Sequence, residues 1–430
     1  MREDFLHYVW KFQKFDARNL LTVQGETLTL IDPGSHNLNS GPDFFNGQIL
    51  VNDLKWIGNI EIHLKSSDWY VHQHQTDKNY DNVILHVVWE HDAEVFRNDN
   101  TSIPTLELKK VTHDAILTNY HKLFSNKEAW IYCENNFATV PGLTVKNWLE
   151  RLYFERLELR NEQILKELSQ SKNHWEAVLF YMLSKSFGLK VNGESFYSIA
   201  KSVPFTVIKK CSKKQLDLEA LLLGQAGMLN TWKEDMHFEV VLQKYNFIKQ
   251  KFKIDDTAVI QPKFFRLRPP NFPTIRLSQL AALFSTKKNL FSEVIETKTA
   301  EGFYRLFAVH ASSYWDTHYN FDVSSSKRKK SLSKGFIDLL IINTLIPIKF
   351  CYATYQSNDI SEEIVRLASG LRKEENAIIK KFNQLRPVAE NALESQALLQ
   401  LKKCYCNPGQ CLKCAIGNSI LKQQNASRVN

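Results

Sequence analysis

The sequence has no unbroken apolar run long enough to cross a bilayer. Its longest, residues 337–348, is interrupted by Asp338 and Asn343, whereas a spanning helix needs about 20 apolar residues. Residues 1–15 set Arg2, Glu3, Asp4 and Lys11 among Phe5, Tyr8, Val9 and Trp10. That mixture is not the pattern expected of a secretory leader and reads as an amphipathic helix. The expectation is a cytoplasmic protein with no membrane partner. No P-loop is present, so any nucleotide-driven motor would be a separate protein. No fixed-period repeat marks a solenoid. Cysteine is sparse, with seven residues in 430, and in a cytosolic chain these read as thiols or metal ligands rather than a disulfide framework.

What is present describes a folded chain of two or three domains. Hydrophobic residues make up 43% and aromatic residues 12%, which supplies large cores, and 430 residues exceed the usual single core. The formal charge is +9, from 55 basic and 46 acidic residues. It suits a polyanionic partner such as nucleic acid, and it equally suits a soluble basic surface.

The chemistry concentrates between Ser40 and Asp92. Residues 47–51 read as a strand, Asn52-Asp53 as a turn and residues 55–65 as the return strand of a hairpin. Strand period puts Glu61, His63 and Lys65 on one face and Ile60, Ile62 and Leu64 on the other, apolar face, which is expected to be buried. An acid, an imidazole and an amine in a row are costly beside a core unless they bind something. Asp43 at the mouth of the hairpin and Glu61 on its return strand supply the carboxylates that Mg2+ or Mn2+ takes together with water and phosphate. His63 or Lys65 then serves as proton acceptor or charge stabiliser. The plainer alternative is a solvated Glu61–Lys65 pair on an exposed strand face, with His63 partly exposed. Downstream, His72, His74 and Asp77 have the composition of an additional metal site, or of loop histidines bonded to the end of the sheet. Residues 83–89 are apolar on both faces apart from His86, as in a central strand.

Pro42-Asp43, a spacer, and Glu61-Ile62-His63 with Lys65 beyond resemble the motif of the PD-(D/E)XK nuclease superfamily. The resemblance implies an α/β (α+β) domain with a small mixed sheet, two acids holding metal on adjacent strands, and a lysine assisting the attacking water. His63 stands where that lysine belongs. Either the imidazole substitutes for it, Lys65 reaches in, or the activity is lost. More widely, Ser40-Gly41-Pro42-Asp43-Phe44, Gly58-Asn59-Ile60-Glu61-Ile62-His63, Ser66-Ser67-Asp68-Trp69, Leu223-Gly224-Gln225-Ala226-Gly227, Arg268-Pro269-Pro270-Asn271-Phe272-Pro273 and residues 411–417 resemble the uncharacterised bacterial family called domain of unknown function 2851. That resemblance covers essentially the whole chain and implies no activity.

The α/β domain is expected to occupy residues 1–140, with a possible edge strand at 105–109 and a helix at 113–125. Pro141-Gly142 breaks the pattern. From Thr144, a suitable N-cap, apolar residues such as Trp148, Leu152 and Leu157 recur at helical spacing. Further helices are expected near 174–187, 195–201, 214–223 and 238–252, so residues 141–400 form a mostly helical domain. Within it Arg266, Arg268 and Arg276 flank a proline-stiffened segment suited to phosphate contacts, or to a rigid loop packed on the core. Lys327, Arg328, Lys329 and Lys330 follow three serines and read as a mobile basic loop, available to a nucleic-acid backbone or simply solvated. Trp315, His318 and Tyr319 are expected to pack in the core.

Residues 401–418 form a closing segment with Cys404, Cys406, Cys411 and Cys414 in one run. Cys-x-Cys followed by Cys-x-x-Cys suits a Zn2+ clip, an iron–sulfur cluster or, without metal, four reduced thiols. Cys133, Cys211 and Cys351 lie among apolar residues and are expected in the core. The function these features point to is a metal-dependent phosphodiesterase acting on DNA or RNA. The alternatives are a catalytically inactive nucleic-acid-binding or scaffold protein that keeps the nuclease fold, and a different metalloenzyme built on His72, His74 and Asp77.

Overall fold

The computed structural model describes residues 1–125 and 128–423. One unit comprises residues 1–148 and the segment from Leu401 onward, and the other comprises residues 149–400. The closing segment 401–418 is therefore part of the first unit rather than a third element.

The first unit is organised by a seven-stranded mixed sheet. Helix α1 (Glu3–Lys11) carries Glu3 and Asp4 in its first turn and Lys11 in its last, matching the helix dipole. It buries Phe5, Leu6, Tyr8, Val9 and Trp10, and the positive φ of Gln13 turns the chain away just after its end. Strands β1 (Leu20–Leu21), β2 (Thr27–Asp32), β3 (Ser35–His36), β4 (Phe44–Val51), β5 (Leu54–Lys65), β6 (Val83–Glu90) and β7 (Thr105–Glu107) follow. Their order is β1-β2-β4-β5-β6-β7, with β3 on β4. The pairings up to β5 are antiparallel, while β5–β6 and β6–β7 are parallel. The sheet curls until it nearly closes: the Val23 N–H, just past β1, donates to Thr105 O on β7 at 2.8 Å.

The expected hairpin is present, and its turn residues Asn52 and Asp53 both have positive φ, the geometry that two-residue hairpin turns demand. Strand β4 starts earlier than the expected residue 47, because Phe44 pairs with Ile60 across a register shift at the left-handed Asn46. The crossover from β5 to β6 contains the short helix α2 (Asp68–Val71) and two 3-10 turns, His74–Thr76 and Lys78–Tyr80. Helix α3 (Asp114–Ser125) follows the edge strand β7.

The second unit is mostly helical. Helix α4 (Gly142–Gln170) starts two residues before Thr144, which lies in its first turn rather than capping it. Helices α5 (Trp175–Phe187), α6 (Leu189–Lys201), α7 (Phe205–Cys211), α8 (Gln215–Gln225), α9 (Met236–Phe252) and α10 (Pro273–Thr286) come next. Gly224 permits α8 and α9 to approach closely, since a Cβ there would stand 2.2 Å from the Tyr245 ring. Trp315 is fully buried and donates to the buried Glu219, as a core role requires. The helical stretch Lys334–Tyr355 is long and apolar enough to cross a membrane, yet 72% of its apolar window is buried within the fold, as in a core helix.

Gly58 sits in β5 where an added Cβ would lie 2.4 Å from Ile84 Cγ2 and 2.7 Å from the Asn82 carbonyl oxygen. The backbone contact cannot be relieved by a rotamer change. Gly58→Ala is expected to cost about 1–3 kcal/mol, read as a lowered urea midpoint with an unchanged slope.

Candidate metal site

Residues 60–63 of β5 are buried on both faces, so the polar face is not the solvated surface of a simple amphipathic strand. Glu61 is 5% exposed and His63 1% exposed. Parallel pairing sets Glu61 beside His86 and His63 beside Val88. Helix α1 packs against β5 and brings His7 to this end of the sheet, while the β5–β6 crossover brings His72 and His74.

The donor atoms converge. His63 Nε2 lies 3.5 Å from Glu61 Oε1 and 3.1 Å from His72 Nδ1. His74 Nε2 lies 3.3 Å from the same Glu61 oxygen. The ligating atoms of His63, His72 and His74 are all within 4.8 Å of one another. A tetrahedral ion bonded at about 2.0–2.1 Å separates its ligand atoms by about 3.3 Å, so these three edges fit a small transition-metal ion. His74 Nε2 is buried without a hydrogen-bond partner, which a metal bond would satisfy. On the far side of its ring, His63 Nδ1 is 2.8 Å from His86 Nε2. With His63 as donor, that bond fixes the ring and leaves the Nε2 lone pair facing Glu61.

The crossover owes its shape to the Ser66-Ser67-Asp68-Trp69 segment. Ser66 Oγ, Ser67 N–H and Ser67 Oγ all donate to the Asp92 carboxylate, and Asp68 accepts from the Lys65 N–H. Trp69 is fully buried and donates to Phe96 O. Gln73 adopts φ 61°, a left-handed kink between the two histidines that costs a side-chain-bearing residue about 1–2 kcal/mol. Tyr80 stacks on the His74 ring at 3.7 Å, and Trp69 meets it edge-on at 5.3 Å.

Asp43, just before β4, and Glu61, on β5, are pinned to each other's backbone segments. The Asp43 N–H donates to Glu61 Oε2 at 3.1 Å, and the Ile62 N–H donates to Asp43 Oδ2 at 3.0 Å. Asp43 Oδ2 also lies 3.3 Å from His7 Nε2, with both side chains about one-fifth exposed.

Burial pushes the Glu61 carboxyl up to about 9, and the neighbouring Asp43 charge adds to the shift. Burial holds His63 down to about 3, reinforced by His74 and His72. The fully buried His86 is held well below the usual imidazole range for the same reason. His7 moves the other way: burial opposes its charged form, but the hydrogen bond and charge of Asp43, together with Glu3 and Glu61, outweigh it. Without a cation, burial thus favours the neutral forms of His63, His74 and His86 beside a protonated Glu61, and the neutral imidazole is the ligating form.

Two expected members lie apart from this cluster. Lys65 has a side chain 59% exposed, 4.0 Å from Asp92, because it ends β5 beyond the covered stretch. Asp77 is exposed and accepts the Asn79 N–H, capping the Lys78–Tyr80 turn. Sequence reasoning missed His7, and treated His86 only as an irregularity in an apolar strand. That irregularity was the available signal.

Among the basic residues of the second unit, Arg276 is 6% exposed, donates to Gln279 and Asn271, and lies 3.5 Å over the Phe336 ring. Lys330 is also buried, donating to the Trp315 and Asp316 carbonyls. Neither faces solvent as a phosphate contact must. Arg266, Arg268, Lys327, Arg328 and Lys329 are exposed.

Fold and site together define a protein with a mixed α/β unit that holds a buried carboxylate–histidine cluster, and a separate helical unit. The chain belongs to the family described as "Protein of unknown function (DUF2851)", which matches residues 3–377. Residues 411–417, expected to carry part of that resemblance, lie beyond the match. Comparison with curated proteins and with solved structures gives no match.

The acid and the imidazole shift in opposite directions, so they limit stability on opposite sides. The raised Glu61 contributes stability present below about pH 4.5 and lost as pH rises toward 9, whereas the lowered His63 contributes stability present above about 6.5 and lost as pH falls toward 3. In chelator, the melting temperature of the wild type is expected to fall from pH 5 to pH 9, and Glu61→Gln to flatten that alkaline fall. An equal fall in Glu61→Gln would assign it to other groups.

Proposed function

We propose that the protein is a metal-dependent phosphodiesterase of nuclease type, acting on DNA or RNA at the Asp43, Glu61 and His63 site. The observation that carries this reading is the convergence of the two acids, Asp43 just before β4 and Glu61 on the paired β5, fixed by reciprocal backbone hydrogen bonds, with the His63 and His74 imidazoles on Glu61. The seven-stranded sheet is mixed but nearly closed, and no solved structure matches it, so the PD-(D/E)XK resemblance is carried by the motif residues and not by the fold. Exposed Arg266, Arg268, Lys327, Arg328 and Lys329 suit phosphate contacts.

Glu61 Oε1 and the nitrogens of His63, His72 and His74 are the holding atoms. Three imidazoles favour Mn2+ or Zn2+ over Mg2+, which takes oxygen ligands. When bound, such a cation supplies a Lewis acid for a phosphoryl oxygen and a water of lowered pKa. His63, held near 3 and facing the cluster, serves as a ligand and not as the proton acceptor. That task falls to His7, which is partly exposed at the mouth of the site and whose protonated form Asp43 stabilises. Asp43 thus orients His7 and closes the site beside Glu61.

A second reading, a nucleic-acid-binding or scaffold protein without turnover, is favoured by one observation. The motif lysine is replaced by His63, and Lys65 turns outward to Asp92.

The test combines metal content with cleavage of labelled single- and double-stranded DNA and RNA in Mn2+. Wild type is expected to bind the cation and cut. Glu61→Ala is expected to lose both, while His7→Ala keeps the metal and cuts about 10²-fold more slowly. Asp43→Ala is expected to cut as poorly as His7→Ala. If folded wild type binds metal and nucleic acid but leaves every substrate intact, the scaffold reading replaces this one.

A further inference from the structure

The C-terminal cysteine run does not act as a set of four. Cys406, Cys411 and Cys414 line one small cavity, and the fourth thiol on its wall is Cys133, from a segment more than 270 residues earlier in the chain. Cys404 is not among the lining residues. The reason is local geometry: residues Leu401–Cys406 form a π-helical turn, and side chains two positions apart on a helical turn lie on roughly opposite sides. Cys404 therefore cannot share a centre with Cys406, and its expected place as a ligand is corrected to Cys133.

Local devices bring the four thiols to this point. Gly409, with φ 69°, makes the turn between Cys406 and Cys411. Gly417 lets the helix Ala415–Lys422 start close against the Cys411–Lys413 turn, since a Cβ there would stand 2.1 Å from the Cys411 carbonyl oxygen. Cys133 arrives just before the 3-10 turn Glu134–Thr139. Every pair among the four thiols interacts electrostatically. Between the sulfurs the wall is mainly apolar, with Ile131, Phe137, Leu401 and Ile416.

Burial raises all four thiols, Cys411 to about 12. As neutral groups they would ask little of their neighbours, because a thiol is a weak donor and a weak acceptor. The neighbours nevertheless suit the thiolate. N–H groups of Ile416 and Gly417 and the Trp148 side chain favour ionised Cys414. Lys402 favours the Cys406 thiolate, and Arg2 favours that of Cys411, where Asp4 opposes it. Groups that orient and stabilise a ligand sulfur are the outer shell of a metal–thiolate centre, and a bound cation is what makes several buried thiolates tolerable together.

The cavity sets the size of that cation. It measures about 10 Å3, room for a single water-sized sphere, and so for one ion. Soft thiolates select against Mg2+ and Ca2+, and four of them form the closed tetrahedral donor set of structural Zn2+, with bonds of about 2.3 Å. Among the described residues, only the histidine set has three ligating atoms already within 4.8 Å of one another, so the thiols draw inward as the ion binds. Binding is then coupled to local folding: each thiol releases its proton to solvent and forms a sulfur–metal bond.

We propose that Cys133, Cys406, Cys411 and Cys414 hold one structural Zn2+ that ties the C-terminal segment to the turn at residues 131–137. This centre is separate from the histidine cluster and does not depend on the phosphodiesterase reading.

The experiment measures zinc in the full chain carrying Glu61→Ala, so that a cation at the histidine cluster is not counted. Zinc is expected in equimolar amount, unchanged by Cys404→Ser and mostly lost with Cys133→Ser or Cys411→Ser. Replacing the zinc with Co2+ is expected to give thiolate-to-cobalt charge transfer, a signature that imidazole and carboxylate ligands do not produce. Alkylation of the wild type covers the case in which the cysteine variants fail to fold: Cys133 is expected to be protected until chelator removes the zinc, and Cys404 to react throughout. Absence of metal, iron with acid-labile sulfide, a cobalt spectrum without thiolate charge transfer, or zinc lost with Cys404→Ser but kept with Cys133→Ser would each overturn the proposal. So would alkylation of Cys133 that chelator leaves unchanged.

Discussion

The first unit depends on a carboxylate held almost out of water. Glu61 sits in mid-strand with neighbours on every side, and a buried carboxylate is tolerated only when neutralised or paired. Without a cation it resolves the conflict by keeping its proton, and His63 and His86 resolve theirs by staying neutral. All three groups are far from their ordinary ionisation, and a divalent cation would reconcile them. This is why the cluster reads as a binding site and not as a surface ion pair.

The remaining devices of the unit serve that arrangement. The Asp92 bonds to Ser66 and Ser67 turn the chain off β5. Trp69 anchors α2, and left-handed Gln73 redirects the chain so that His72 and His74 face the same place. Tyr80 then holds the His74 ring by stacking. Strain at Gln73 is offset by the packing around it, a common condition at functional sites. The Arg268–Pro273 segment, by contrast, spends its polar groups internally: Asn271 accepts from Arg276, and Pro273 starts α10. Its distinctive sequence is explained by local structure.

Much of the fold was legible in the residues. Period-two alternation located β5, the apolar run located β6, and the Asn52-Asp53 pair located the turn between β4 and β5, because each signal is written in consecutive residues. The beginning of β4 was not legible, since a bulge at Asn46 broke the alternation. Helix starts were off by a residue or more, as at Gly142, two residues before the Thr144 that reads as a cap. In the site, Asp43, Glu61 and His63 were found through spacing, and His72 and His74 through composition. That the two groups form one cluster was not readable, nor was His86 as the partner behind His63.

The order of residues sets which chemistry is available: a strand with an acid and an imidazole on one face, a pair of histidines two apart, and a late run of thiols. It determined these because strand and turn geometry are set by neighbours along the chain. Which of those groups meet is set by the packing of the folded chain. It placed the crossover histidines on Glu61, turned Lys65 outward, brought His7 to Asp43 and exchanged Cys404 for Cys133. Convergence depends on how distant segments pack, and a pairing across about 270 residues leaves no periodic trace in the sequence.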